Sequence, residues 1–203
     1  LELFGNPTAM IHRLLVWLPL AIVSLCVHEF AHAATATALG DPTPRSHGRL
    51  TLDPRAHLDV FGTLMMLMGP MGWARPVPVD PRYLRGRLGE LAVSLAGPAS
   101  NVLLALVAAV CLKYLNLGDA DRAVQTLFFL NIGLAVFNLL PIPPLDGSHL
   151  WPVLMPRSWR GAYERMLPWG TIFLLALLLW PGGSGFLESL TRTGALLVWN
   201  LVP

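Results

Sequence analysis

Residues 21–40 read AIVSLCVHEFAHAATATALG, and this stretch decides how the rest of the chain is read. It is apolar enough to enter a bilayer, yet it carries His28, Glu29 and His32. Residues four apart share one face of a helix, so the two imidazoles stand together with Glu29 beside them. An ionised side chain near the bilayer centre costs about 2.5–3.5 kcal/mol on insertion scales, which makes an idle Glu29 an expensive accident. Two histidines at this spacing can hold one zinc ion, and an adjacent glutamate can take a proton from the attacking water. In a soluble protein a chance HExxH on a solvated helix competes evenly with that reading; inside an apolar run it does not.

The composition agrees. Of 203 residues, 54% are hydrophobic and 13% are charged, against about 25% charged in a typical soluble domain. That deficit points to an all-α polytopic membrane protein. The net charge of +2 and the lack of a basic cluster exclude nucleic acid as a partner. The two cysteines, Cys26 and Cys111, lie apart in apolar segments and read as small buried hydrophobes.

About five segments are long enough to span as helices, near residues 14–39, 88–115, 124–140, 167–180 and 186–201. Gly40-Asp41-Pro42 stops the first, and Pro141 to Pro144 break the third. The apolar run 60–71 is too short to cross and suits a re-entrant or interfacial segment. Its methionines read as flexible packing. Residues 46–53 and 73–80 look extended, and Arg49-Leu50-Thr51-Leu52 alternates polar and apolar, so a small membrane-associated β-sheet is expected. The whole of 1–203 reads as a single domain, with a core over about 14–150 and accessory helices over about 167–201.

Zinc needs a third protein ligand and an open position. Four further histidines are present, and Glu90 and Asp146 are carboxylates near helix ends. Asp146 follows a proline-broken stretch, where irregular backbone at membrane depth must line a cavity or be buried in protein. Gly147 permits a turn that aims the preceding carboxylate. An N-cap role for Asp146 at the start of a short helix is the competing explanation.

Four motifs occur in order: HEFAH (28–32), GWARPVPV (72–79), AGPASN (96–101) and NLLPIPPLDG (138–147). Together they resemble the site-2 protease family of intramembrane zinc metalloproteases, over about residues 21–150. The resemblance implies an intramembrane zinc endopeptidase that cleaves transmembrane segments of other proteins. It implies one zinc ion per chain held by His28, His32 and Asp146, Glu29 as catalytic base, and Asn138 lining the site to hold the substrate peptide. The family's Asn-Pro-Asp-Gly pattern is spread here over ten residues, and His149 is a rival ligand. No PDZ domain or CBS pair is present, so a minimal member is expected. The family is thought to bind substrate as an added strand, and the proline-free strip containing Arg49, Leu50 and Thr51 keeps every backbone donor for that pairing. Two other classes stand beside the protease: an inactive relative that binds membrane proteins, and a metal carrier or transporter. Substrate identity and oligomeric state are not in the sequence.

Charge sets the orientation. Ten of the 14 lysines and arginines fall on the side where the first helix ends, provided 60–71 does not cross. The positive-inside rule then makes that side cytoplasmic, in an integral protein of the inner or plasma membrane whose site opens to the cytoplasm.

Overall fold

A computed structural model describes residues 7–68 and 72–203. The first long helix is α1 (Leu18–Ala38), preceded by a π-helical turn over Arg13–Trp17. Gly40, at φ 109°, ends it. The Asp41 N–H reaches the Ala36 carbonyl and the Gly40 N–H that of Thr37, the pairing that closes a helix on a left-handed glycine. The chain continues through α2 (Val60–Met68), α3 (Gly86–Tyr114), α4 (Asp121–Asn138), α5 (Gly147–Leu154), α6 (Arg157–Met166), α7 (Gly170–Leu179) and α8 (Gly183–Leu201).

The bundle centre is α1, α3 and α4. Ala105, Ala108 and Ala109 of α3 meet Phe128 and Ile132 of α4 and Ala195 and Val198 of α8. Small residues on α3 let the helices approach closely, as membrane helix packing favours. Helix α8 runs antiparallel to α4: Gly194 abuts Ile132 and Val136, and Trp199 meets Phe128. Its end is held by Lys113 Nζ, which donates to the Trp199 and Val202 carbonyls, and by Tyr114 Oη, which donates to Pro203.

Four helical runs among the described residues, not five, are long and apolar enough to cross a membrane: Met10–Ala38, Gly86–Tyr114, Gly118–Asn138 and Arg157–Leu179. Helix α8 carries Glu188 and Arg192 and falls outside that set. The packing gives the same parity. His12 and Trp17 share a cleft with Arg122 and Thr126 at the start of α4, while the C terminus rests on Lys113 and Tyr114 at the end of α3. His12 to Trp17 and the C-terminal residues therefore lie at one end of the bundle, so the number of crossings between them is even.

The expected β-sheet does not form either. Among the described residues there is no strand, only an isolated antiparallel bridge between Leu58 and Ala74, beside an Arg75 N–H bond to the His57 carbonyl at 2.6 Å. Three Asp-Pro steps explain why. Asp41, Asp53 and Asp80 accept from the N–H two residues ahead (Thr43, Arg55, Arg82), and each starts a helical turn. Gly48, at φ 67°, bends the first strip, and Pro76 and Pro78 remove ladder donors from the second. The chain leaves at Leu58, runs through α2 over Val60–Met68, and is back beside Leu58 at Ala74. Gly62 and Gly72 face the opposite arm so closely that a Cβ on Gly62 would lie 2.1 Å from the Trp73 carbonyl oxygen. Residues 69–71, including Met71, lie outside the described residues. Arg13 donates to the Met66 carbonyl from Nε at 3.1 Å and Nη2 at 2.5 Å, which ties α2 to the foot of α1.

Candidate metal centre

Helix α1 turns His28, Glu29 and His32 inward, and all three are buried. Asp146 joins them from the far end of α4. The prolines at 141, 143 and 144 prevent α4 from continuing, and Gly147 lets the new helix begin against its end. Gly147 is not left-handed. Its requirement is space, since a Cβ there would lie 2.3 Å from the Leu140 carbonyl oxygen. Trp151 Nε1 donates to the Leu139 carbonyl, and the single Tyr163 hydroxyl proton is shared between or goes to one of the Pro141 and Ser148 carbonyls, so the broken stretch is clamped from both sides. Asp146 occupies the N-cap position of α5, but its side chain makes no capping bond. It points at the histidines instead.

Three ligand atoms converge. His28 Nε2 and His32 Nε2 are 3.1 Å apart, and Asp146 Oδ2 lies 3.1 Å from the first and 3.3 Å from the second. The other ring nitrogens are engaged: His28 Nδ1 with Asn101 Oδ1 at 2.6 Å, and His32 Nδ1 with the Val93 carbonyl at 2.7 Å. A carbonyl can only accept, so His32 carries a proton on Nδ1, and the neutral ring then turns the Nε2 lone pair towards Asp146. Asp146 Oδ2 is cut off from solvent and makes no hydrogen bond of acceptable geometry. Lone pairs crowded in this way need a cation between them. Zinc bonds of about 2.0–2.2 Å in a tetrahedral arrangement place ligand atoms about 3.3 Å apart, which these residues match. Gly97 completes the cradle from α3. A Cβ there would lie 2.3 Å from His32 Nε2 and 2.6 Å from His28 Nε2.

Glu29 stands beside this cluster without joining it, and its Oε2 accepts from the Val77 N–H at 3.2 Å. With prolines at 76 and 78, Val77 holds the single backbone donor of residues 76–78. The extended strip around it is anchored from behind. Arg49 Nη1 donates to the Ala56 carbonyl at 2.6 Å and the Arg75 carbonyl at 3.0 Å, and the Asp80 N–H donates to Asp41 Oδ2 at 2.8 Å. Arg82 donates to Asp80 from its guanidinium and its N–H, holding that carboxyl below the usual range.

A cavity of about 520 Å³ opens onto the His28–His32–Asp146 cluster and Glu29. Trp73, Val77, Asn138 and Glu90 also line it, and His149 stands in its wall without entering the three-ligand group. Asn138 donates to the Leu134 carbonyl of its own helix. Arg49, Leu50 and Thr51 do not line the cavity; Arg49 is buried one layer behind the strip, and Leu50 and Thr51 are half-buried. Sequence reasoning assigned no individual role at the site to Gly97, Asn101 or Asn131, and did not foresee the bonds of Asp41 to Asp80 and of Val77 to Glu29. Gly97 and Asn101 had a readable signal, since they stand four apart inside AGPASN and so share a helical face.

Apolar helices with a histidine–histidine–aspartate cluster and a glutamate buried between them define an intramembrane metalloprotease. Comparison with known proteins agrees. The profile of peptidase family M50 matches residues 113–179. YwhC of Bacillus subtilis, named a candidate zinc metalloprotease, is 39% identical over 85% of this chain and 84% of its own length. Rip2 of Mycobacterium tuberculosis, named likewise, is 35% identical over 81% of this chain and 67% of its own. Zinc metalloprotease MJ0392 of Methanocaldococcus jannaschii is 21% identical over 69% of this chain and 34% of its own length. No solved structure matches the chain significantly. The chain belongs to peptidase family M50, and it is a membrane-embedded zinc metalloprotease.

Proposed function

We propose that His28, His32 and Asp146 hold one zinc ion and that Glu29 is the general base for cleaving a peptide bond in a substrate's transmembrane segment. The observation that carries this reading is the convergence of three buried ligand atoms within 3.3 Å of one another, with Glu29 alongside in the same cavity. A bound zinc ion supplies Lewis acidity, polarising the scissile carbonyl and making water acidic enough to attack near neutral pH. Glu29 takes the water's proton and delivers it to the leaving amine. Val77 N–H holds one carboxylate oxygen, Oε2, in place. The substrate segment must unwind to present its carbonyl, and the extended strip 73–79 and Asn138 line the space it enters. Arg49 supports binding through that strip, because it fixes the Arg75 carbonyl from behind. Residues 1–203 act as one catalytic unit, with 14–150 as its core.

The site opens to the cytoplasmic side of the inner or plasma membrane, and the apolar run 60–71 is a re-entrant or interfacial segment. The charge bias of the loops and the return of the chain to Ala74 beside Leu58 support both. Single cysteines replacing Thr43 and Tyr83 should label from one face, and one replacing Asn116 from the other. Labelling of Thr43 and Tyr83 from opposite faces would overturn the topology. For the chemistry, purified protein in liposomes should cleave a transmembrane peptide in a zinc-dependent manner. Chelator-insensitive cleavage would overturn the metal reading.

A further inference from the structure

A chain of buried amides behind the metal cluster begins at a group that has no choice of role. The Leu127 carbonyl can only accept, so the side-chain nitrogen of Asn131 must be the atom 2.9 Å from it. The same nitrogen donates to Ser24 Oγ at 2.9 Å, whose own proton goes to the Leu20 carbonyl at 2.8 Å. Asn131 Oδ1 is thereby turned to Asn101, and only a donor suits it there, so Asn101 presents Nδ2 at 2.8 Å. Asn101 must then present Oδ1 to His28, 2.6 Å from Nδ1. An acceptor at that distance requires a proton on Nδ1, which leaves the Nε2 lone pair facing Asp146 and His32. Ser24, Asn101 and Asn131 are each 0% exposed, so no water can substitute for a partner or reverse an amide. His32 gets the same instruction in one step, from the Val93 carbonyl.

We propose that Asn101 and Asn131 are positioning residues of the metal centre. The amide register started at Leu127 on α4 passes through α3 and selects the Nδ1–H tautomer of His28 on α1, so that Nε2 is offered to the metal. Neither residue touches the cavity that admits substrate. The inference rests on the reading of His28 as a metal ligand. Partners that fix a ligating histidine's tautomer typically change metal affinity by about 10–100-fold when removed.

The test uses the full chain in detergent with ¹⁵N-labelled imidazoles. In the zinc-loaded wild type, long-range ¹H–¹⁵N spectra should place zinc on Nε2 of His28 and the proton on Nδ1; zinc on Nδ1 overturns the proposal. Asn131→Leu removes the group that orients Asn101. Chelator competition should then show zinc held about 10–100-fold more weakly, and the metal-free protein should show a mixture of His28 tautomers. A purely architectural role would lower thermal stability but leave the folded fraction with wild-type zinc affinity and one tautomer, which overturns the proposal. If Asn131→Leu does not fold, Asn131→Ala takes its place with the same expected and overturning results. Ser24→Ala should keep tautomer and affinity, since Leu127 alone still orients Asn131; loss of either would shift the origin away from Leu127 and overturn the register. His28→Ala separates the two levels of inference. Full zinc binding by that variant sinks the metal reading itself, whereas its loss alongside unchanged Asn variants sinks only the relay.

Discussion

The metal cradle and the strip that lies over it are held by opposite means. The cradle is built from helices: His28 and His32 from α1, Gly97 and Asn101 from α3, and Asp146 from the start of α5, with each imidazole bonded behind to a buried acceptor. Its geometry is set by packing, which tolerates no added methyl at Gly97. The strip 73–80 belongs to no helix and no ladder. Side chains hold it at intervals, through Arg49 at Arg75, Glu29 at Val77 and Asp41 at Asp80. The contrast suits the chemistry. Under the proposed function, metal ligands must stand within tenths of an ångström, whereas a wall meeting a peptide of variable sequence works better if it can adjust between fixed points.

Substitutions on either side should separate the two, beginning with the largest effect. Gly97→Ala places a methyl within 2.3 Å of His32 Nε2, so purified protein should lose zinc at or beyond the upper end of the roughly 10–100-fold range for disturbed sites. Metal analysis at wild-type zinc content would show that the cradle can yield. Glu29→Gln keeps size and burial but removes the basic oxygen. Turnover should fall about 10²–10⁴-fold with zinc retained, read by cleavage and metal content on one preparation.

Arg49→Ala tests the strip. It deletes two hydrogen bonds from a charged donor, each of a kind that contributes about 1.5–3 kcal/mol. Cleavage should drop about tenfold, mainly through KM, while zinc affinity stays at wild type; a loss of zinc would mean that strip and cradle form one rigid unit. Val77→Pro removes the N–H on Glu29 and should lower kcat by a smaller factor, with zinc unchanged. At the bottom of the scale, Arg55→Ala breaks an exposed pair with Asp53 and should alter neither readout, because exposed ion pairs contribute little.

Legibility in the sequence followed the distance over which each feature is specified. His28, Glu29 and His32 could be grouped because helical periodicity is local and their apolar setting made idle polar groups costly. The end of α1 at Gly40 and the break after α4 were readable from glycine and proline alone. The β-sheet was misjudged because alternation in Arg49–Leu52 and extension in 73–80 were weighed without the Asp-Pro caps that turn the chain at 53 and 80. The count of five spans was not confirmed, because apolar length does not reveal which helices complete a crossing. Lys113 gathers the carbonyls at the C terminus to the far end of the bundle.

The sequence by itself determined the groups on offer: two histidines four apart with a glutamate beside them, in a chain whose composition belongs in a bilayer. Those features reside in residue type and in spacings of three or four, which the helix converts directly into geometry. Only the tertiary structure decided that Asp146, and not His149 or Glu90, meets the histidines, that Gly97 leaves them room, and that Asn131 stands behind Asn101. These choices depend on how α1, α3, α4 and α5 pack across separations of 30 to more than 100 residues. No local pattern records a contact of that range, because it is set by the shapes of side chains that meet only after the helices assemble.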